Sequence, residues 1–358
     1  MIKLYAMMAL AEERGISWFL VSTGQSGINL KNQWKAFRLP ENKWISLLNT
    51  DEDLKTSGGA LRWFAKVQLL SKKKILKLIQ EKSGRMPSPE DTWIVHGDTL
   101  STLVGARLSK KLKVPLAHVE AGLRSSNLFE PFPEEINRRL VSRSVAFHFP
   151  QDQHAENNLR KAKVKGHVFP TKANTLLDAL HRVLNEPCPI EIPQGEYAVA
   201  NLHRFENLTN ASRWNLMVET LIEAAKKGKV LFVLHPPTEQ KLKEEPEDKA
   251  RLLEAGVELF PRLPFHEFIH LLARAKFVLS DGGSNQEECF YLGKPCLILR
   301  DYTERFEGLD SCCVLSRFQV DQIQNFLSNP LQYRRNSYEV DVSPSDFILK
   351  TLLSGVSA

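Results

Sequence analysis

One alternation constrains the fold of this chain more than anything else in it. Short, almost wholly apolar runs rich in β-branched and aromatic residues recur at 16–21, 93–96, 116–119, 145–149, 167–170, 197–201, 230–234, 257–260, 277–280 and 296–299. Longer stretches with helical periodicity lie between most of them, as at 102–112, 216–226 and 267–275. Strand–helix–strand repetition predicts parallel sheets with helices on both faces, an α/β doubly wound architecture. Runs such as Phe277-Val278-Leu279 show no polar alternation, the pattern of a strand buried on both faces.

At 358 residues the chain is long enough for two such domains. A boundary is expected at 171–192, where a helical pattern runs into Pro187, Pro189 and Pro193, which cannot continue a helix or a central strand. The expected division is a first Rossmann-like domain at 1–171, a second at 172–340, and a C-terminal helix at 341–358 returning to the first. A doubly wound domain normally opens with a strand that feeds its first helix through a ligand-binding loop. This chain opens with the helical pattern itself, so the first strand is expected to be missing. A start assigned too late is the favoured explanation, and a shortened protein the other.

Composition narrows the function classes. The hydrophobic fraction is 42%, the charged fraction 25% and the formal net charge +6. The basic clusters at 72–74, 110–113 and 226–229 read as solvated helix surface, and no zinc spacing or aromatic RNA-binding signature accompanies them. Nucleic acid is therefore not an expected partner. No run of about 18 apolar residues predicts a membrane span. The start, MIKLYAMMALAEERG, reads as an amphipathic helix rather than a signal peptide. The five cysteines (188, 289, 296, 312 and 313) match no metal or disulfide framework, which points to a reducing compartment, the cytoplasm.

Five segments could carry chemistry. His96-Gly97-Asp98-Thr99 follows a strand, where open α/β sheets bind ligands; Asp98 is either a ligand-facing carboxylate or the N-cap of the next helix. His118-Val119-Glu120-Ala121-Gly122-Leu123-Arg124 puts Glu120 at the end of the next strand, either functional or salt-bridged with Arg124 or His118. Pro133-Glu134-Glu135 reads as a helix start with acids favourable to the helix dipole. Together, Asp98, Glu120 and Glu134 form the kind of carboxylate cluster that proton abstraction and return require.

The other two segments lie in the second domain. His203 and Arg204 follow its first strand and suit phosphate oxygens, or else form a surface loop; His235 ends the next strand similarly. Asp281-Gly282-Gly283-Ser284 is a glycine turn leading into a helix, where N–H groups can meet a phosphate. Glu288 follows about one turn later, placed to accept ribose hydroxyls. No zinc cluster, nucleophile elbow, Walker loop or dinucleotide fingerprint is present.

At these residues the chain resembles the non-hydrolysing UDP-N-acetylglucosamine 2-epimerases. The segments are TGQ (23–25), HGDT (96–99), HVEAGLR (118–124), PEEINR (133–138), ANTLLDAL (173–180), HRFEN (203–207), QEE (286–288) and LGKPCLILRDYTER (292–305), in family order. The resemblance implies a GT-B-like fold of two Rossmann-like domains facing across a cleft, with UDP held mainly by the second domain and the hexosamine between the two. It implies removal of the C2 proton with loss of UDP, a bound 2-acetamidoglucal, and re-addition, with neither cofactor nor metal. Asp98, Glu120 and Glu134 match the acid/base carboxylates, and His203 a residue assisting the leaving diphosphate. Lys3, Arg138, Arg204, Gly282, Gly283, Ser284, Glu288 and Arg300 are the expected substrate-binding residues. A homodimer and a role in polysaccharide biosynthesis are implied on the same ground.

Three departures stand out. The GTRPEAIK-like opening is reduced to Ile2-Lys3, leaving Lys3 to match its lysine. The nucleotide loop reads Asp-Gly-Gly-Ser where the family has Asp-Ser-Gly-Gly. The family's TGQH reads Thr23-Gly24-Gln25-Ser26. The alternatives are an inactive UDP-sugar-binding homologue, a GT-B glycosyltransferase on the same fold, and a hydrolysing epimerase.

Overall fold

The structure is a computed structural model that describes residues 1–25, 27–48, 57–125, 134–303, 305–309 and 311–354, together with the backbone but not the side chains of 57, 60, 61 and 134. It divides into two compact units, 1–179 with 340–358, and 180–339. The first break falls inside a helix, eight residues beyond the expected 171/172. Residues 171–175 are tied to the first unit: Thr171 donates through its backbone N–H to the Pro150 carbonyl at 2.9 Å, Asn174 donates to Gln151 at 2.8 Å, and Thr175 donates to the Lys3 carbonyl.

The first unit carries strands β1 (Leu20–Ser22), β2 (Trp44–Ser46), β3 (Trp93–His96), β4 (Leu116–Val119), β5 (Phe147–Phe149) and β6 (His167–Val168). Its helices are α1 (Ile2–Glu13), α2 (Gly27–Ala36), α3 (Ser57–Leu69), α4 (Lys72–Ser83), α5 (Leu100–Leu112), α6 (Glu134–Ser142), α7 (Gln153–Lys161) and the start of α8 (Leu176–Asn185). β1 pairs with β2, and β3-β4-β5-β6 form a separate sheet, all parallel. β1 and β3 are thus each the edge of their own sheet. Ala117, Val119, Phe147 and Phe149 of the larger sheet pack on Met7 and Ala11 of α1. Val95 and Leu116 pack the other way, on Leu103 and Ala106 of α5 and Val141 of α6. This is the period of two expected when a strand is covered on both faces.

The second unit carries β7 (Tyr197–Asn201), β8 (Lys229–Val233), β9 (Val257–Phe260), β10 (Val278–Ser280), β11 (Cys296–Ile298) and β12 (Cys313–Leu315). Its helices are α9 (Phe205–Leu208), α10 (Ala211–Ala225), α11 (Pro236–Glu244), α12 (Pro246–Glu254), α13 (Phe265–Arg274), α14 (Gly283–Tyr291) and α15 (Val320–Ser328). The strands form one parallel sheet in the order β12-β11-β10-β7-β8-β9. The order reverses between β7 and β10, and ligands of open α/β sheets bind outside the carboxyl ends of strands at such a switch point. Met217, Phe232, Leu279, Leu297 and Phe326 are buried in its core. Helix α16 (Pro344–Leu353) belongs to the first unit, where Ile348 and Leu349 join Met7 and Ala11.

The apolar runs miss β2 and β12, of three residues each. The lysines of the 72–74 cluster are exposed on α4, as solvated surface. All five cysteines are free thiols.

Candidate active site

In the first unit the candidate residues sit at the ends of β3 and β4. After His96 the chain turns through Gly97, whose φ of 65° lies in the left-handed region, into Asp98. Thr99, not Asp98, caps α5: its hydroxyl accepts from the Thr102 N–H. The Asp98 carboxylate is therefore spare, and its Oδ2 accepts from Arg138 Nε at 2.9 Å and Nη2 at 2.6 Å. Asn137 Nδ2 donates to the Asp98 carbonyl at 3.0 Å, so α6 holds this turn through both its backbone and its side chain.

Glu120 follows β4 with φ of 61°, a conformation that costs a non-glycine residue roughly 1–2 kcal/mol. Its carboxylate is 7% exposed at the residue level and is gripped by Lys3 and by the Asn174 amide. Hydrogen bonds to a charged group contribute about 1.5–3 kcal/mol each, enough to outweigh that strain. The alternative reading, a salt bridge with Arg124 or His118, is not what the structure shows. Arg124 instead donates to the Leu123 carbonyl at 2.7 Å and to Ser142 Oγ at 2.9 Å, and His118 Nε2 meets the Gly97 carbonyl at 2.7 Å. The two acid loops are neighbours, since a Cβ at Gly97 would lie 3.6 Å from Glu120 Oε1.

Glu134 opens α6, and its side chain lies outside the described residues. Glu135 was read only as a helix-dipole acid. It is in fact fully buried, accepting from the Ser125 N–H at 3.1 Å and from Arg139 Nε at 2.8 Å, with Arg138 Nη1 at 3.5 Å. Its spacing of three and four residues from two arginines was the available signal. Asn174, also missed, has no such local cue.

In the second unit the candidates gather at the switch point. Asp281, fully buried after β10, accepts from the backbone N–H groups of His203 and Arg204, both at 2.9 Å, and from Asn207 Nδ2 at 3.1 Å. One carboxylate thereby fixes the loop after β7 against the loop after β10. His203 Nδ1 meets Asn201 Oδ1 at 3.0 Å, and the His203 ring stacks on His235 at 4.5 Å. Burial lowers the pKa of His203, and Asp281 partly opposes that. Burial also takes His235 down to about 4. The Arg204 guanidinium donates to Glu206 at 3.1 Å.

Gly282 precedes α14, and no side chain caps that helix. Its leading N–H groups lie at the positive end of the helix dipole, an arrangement that suits an anion. Neither glycine is needed for an unusual φ; Gly282 is needed for space. A Cβ there would lie 3.1 Å from both Asn285 Oδ1 and His203 Cε1. Ser284 is exposed on the first turn of α14. Glu288, 4% exposed, accepts from Asn285 Nδ2 at 2.7 Å. Asn285 Oδ1 accepts from Ser280 Oγ at 2.9 Å, and Ser280 accepts from the Gly282 N–H at 3.0 Å. Arg300 follows β11, 6% exposed, with its guanidinium 5.5 Å over the Tyr302 ring. Among the described residues no group of His, Cys, Asp and Glu side chains could hold a metal ion.

A family model for UDP-N-acetylglucosamine 2-epimerase matches residues 73–347. The UDP-N-acetylglucosamine 2-epimerase of Methanocaldococcus jannaschii is 30% identical over 324 residues, covering 86% of this chain and 83% of the relative. The UDP-2,3-diacetamido-2,3-dideoxy-D-glucuronate 2-epimerase of Pseudomonas aeruginosa is 36% identical over 241 residues, covering 64% of this chain and 62% of that protein. A crystal structure of the M. jannaschii enzyme in complex with UDP-GlcNAc and UDP superposes with a TM-score of 0.77 and 28% identity, covering 98% of this chain and 96% of the other. The fold is GT-B-like, and the chain belongs to the UDP-N-acetylglucosamine 2-epimerase family.

Proposed function

We propose that this isomerase interconverts UDP-GlcNAc and UDP-ManNAc, or a related UDP-2-acetamido sugar, by eliminating UDP and adding it back. A base takes the C2 proton while the C1–O bond to UDP breaks, leaving 2-acetamidoglucal and UDP. The C1–O bond then re-forms, and C2 receives a proton on its other face. The sugar ends at the oxidation state it began with, so no redox cofactor enters the balance.

The observation that carries this reading is the pair of carboxylates at adjacent strand ends, Asp98 held by Arg138 and Glu120 held by Lys3 and Asn174. With Glu134 they are assigned the two proton transfers. The second unit is assigned UDP: the diphosphate at Gly282, Gly283, Ser284, His203, Arg204 and Arg300, and the ribose at Glu288. The M. jannaschii and P. aeruginosa relatives are named for substrates that share UDP and a 2-acetamido group, which supports this substrate class. The same reading makes the protein a cytoplasmic homodimer feeding polysaccharide biosynthesis; light scattering tests the dimer.

The test is incubation with UDP-GlcNAc in deuterium oxide. Deuterium should enter C2, UDP-ManNAc should appear, and both should slow by about 10²–10⁴-fold in Glu120→Gln. Free ManNAc with stoichiometric UDP would instead show a hydrolysing enzyme, and sugar transfer without C2 exchange a glycosyltransferase.

A further inference from the structure

Asn201 ends β7 and is 3% exposed. Its side chain lies between two histidines: Oδ1 is 3.0 Å from His203 Nδ1, and Nδ2 is 3.3 Å from His235 Nε2. A carboxamide oxygen can only accept and its nitrogen only donates. His203 must therefore carry a hydrogen on Nδ1, and His235 must leave Nε2 as a lone pair. In a neutral His203 that makes Nε2 a lone pair too. Nε2 makes no hydrogen bond among the described residues, and the side chain is 34% exposed. A neutral His203 so fixed offers a phosphate oxygen a lone pair, which repels it. Only the imidazolium offers an N–H.

We propose that Asn201 is a positioning residue that locks the tautomers of His203 and His235, so that His203 engages the diphosphate of UDP as an imidazolium and takes up a proton when UDP binds. This rests on the assignment of UDP to the second unit.

The surroundings say which ring is charged. The groups acting on His203 are Asp281 and Glu206, which favour its charged form, and Arg204 and Arg262, which oppose it. Asp281 Oδ1 lies 3.6 Å from His203 Nδ1. His235 is depressed by burial, then by His203, then by Arg262. Two imidazolium rings stacked at 4.5 Å would repel, so one proton serves the pair and goes to the ring facing Asp281. In the free protein burial keeps His203 neutral at pH 7.5. The diphosphate supplies the negative charge that reverses this. Between the free and UDP-bound pKa values of His203, affinity should fall about tenfold per pH unit.

Calorimetric titration of UDP into the full chain at pH 7.5, in buffers of different ionisation enthalpy, counts the protons. The terminal phosphate of UDP, with a second ionisation near pH 6, is already ionised there. Wild type should take up roughly half to one proton per UDP bound. Asn201→Ala frees His203 to place its hydrogen on Nε2, and its uptake should fall below half that of wild type. UDP binding with no proton uptake overturns the inference while leaving the UDP assignment intact; no UDP binding overturns both. Should Asn201→Ala fail to fold, nitrogen chemical shifts of labelled wild type decide. They should show His203 hydrogenated at Nδ1 when free and at both nitrogens with UDP, and an Nε2–H ring in the free protein overturns the inference.

Discussion

The two units solve different problems with the same sheet chemistry. The first holds its acids with full charges brought from far along the chain: Lys3 reaches Glu120 across 117 residues, and Arg138 reaches Asp98 across 40. The second relies on short-range polar contacts: an uncapped helix end, a relay of amide and hydroxyl groups from Gly282 to Glu288, and one buried aspartate accepting three hydrogen bonds. Under the proposed function, carboxylates that move protons take charged neighbours that steer their ionisation, and the diphosphate meets preorganised N–H groups together with Arg204, Arg300 and His203. The supporting sheets differ as well. The second unit has one six-stranded sheet, and the described strands of the first fall into sheets of two and four.

This contrast can be broken by experiment. The largest expected effect is on turnover: Asp98→Asn and Glu120→Gln should each lower kcat by about 10²–10⁴-fold. UDP affinity, measured by calorimetry, should stay within about threefold, as a fraction of the 1.4 kcal/mol that a tenfold change represents. An equal loss of affinity would erase the division of labour. Next, Glu288→Gln should weaken UDP binding by roughly 10–100-fold, the value of about 1.5–3 kcal/mol for hydrogen bonds to a charged acceptor. A loss of kcat at saturating substrate with unchanged affinity would contradict the assignment.

A third test concerns acid. His118 and His148, 1% and 0% exposed beneath the acid loops, are depressed by burial to about 4 and about 3. Their folded values lie below the unfolded value of about 6.5, so the unfolded chain binds more protons between the two. The stability they confer is complete above about pH 6.5 and is lost, at about 1.4 kcal/mol per pH unit for each ring, as pH falls toward 4 and then 3. Neither ring nitrogen of His148 has a hydrogen-bond partner among the described residues. His148→Leu should therefore leave nothing unpaired and make the pH dependence shallower, as read from denaturant unfolding between pH 4 and 7. An unchanged slope would remove His148 from the account. The smallest effect is at Gly282→Ala. The added methyl meets His203 Cε1 at 3.1 Å, so KM should rise about threefold to tenfold, in line with the 0.5–1.5 kcal/mol of a displaced rotamer, with kcat less affected. Unchanged kinetics would mean that His203 is free to shift.

What could be read in advance follows from range along the chain. Strands buried on both faces, such as β7 and β10, advertise themselves as unbroken apolar runs. A glycine turn before a helix is local too, so α14 and its uncapped start were legible. The purpose of Gly282 was not, because its crowding comes from His203, nearly eighty residues earlier by number. Thr99 and Asp98 are both good capping residues, and only the arrival of Arg138 shows which is spare. Lys3 and Asn174 converge on Glu120 from opposite ends of the unit, and no spacing in the sequence foretells that meeting.

The packing of α16 against α1 bears on synthesis. The second unit is a single uninterrupted stretch, whereas the first lacks α16 until the whole of the second has been made. Until then the apolar side of α1 and the sheet beneath it lack the cover that Ile348 and Leu349 provide. The nascent chain must therefore carry an open half-domain through the translation of its neighbour, and a stop codon placed before α16 would leave that surface bare for good.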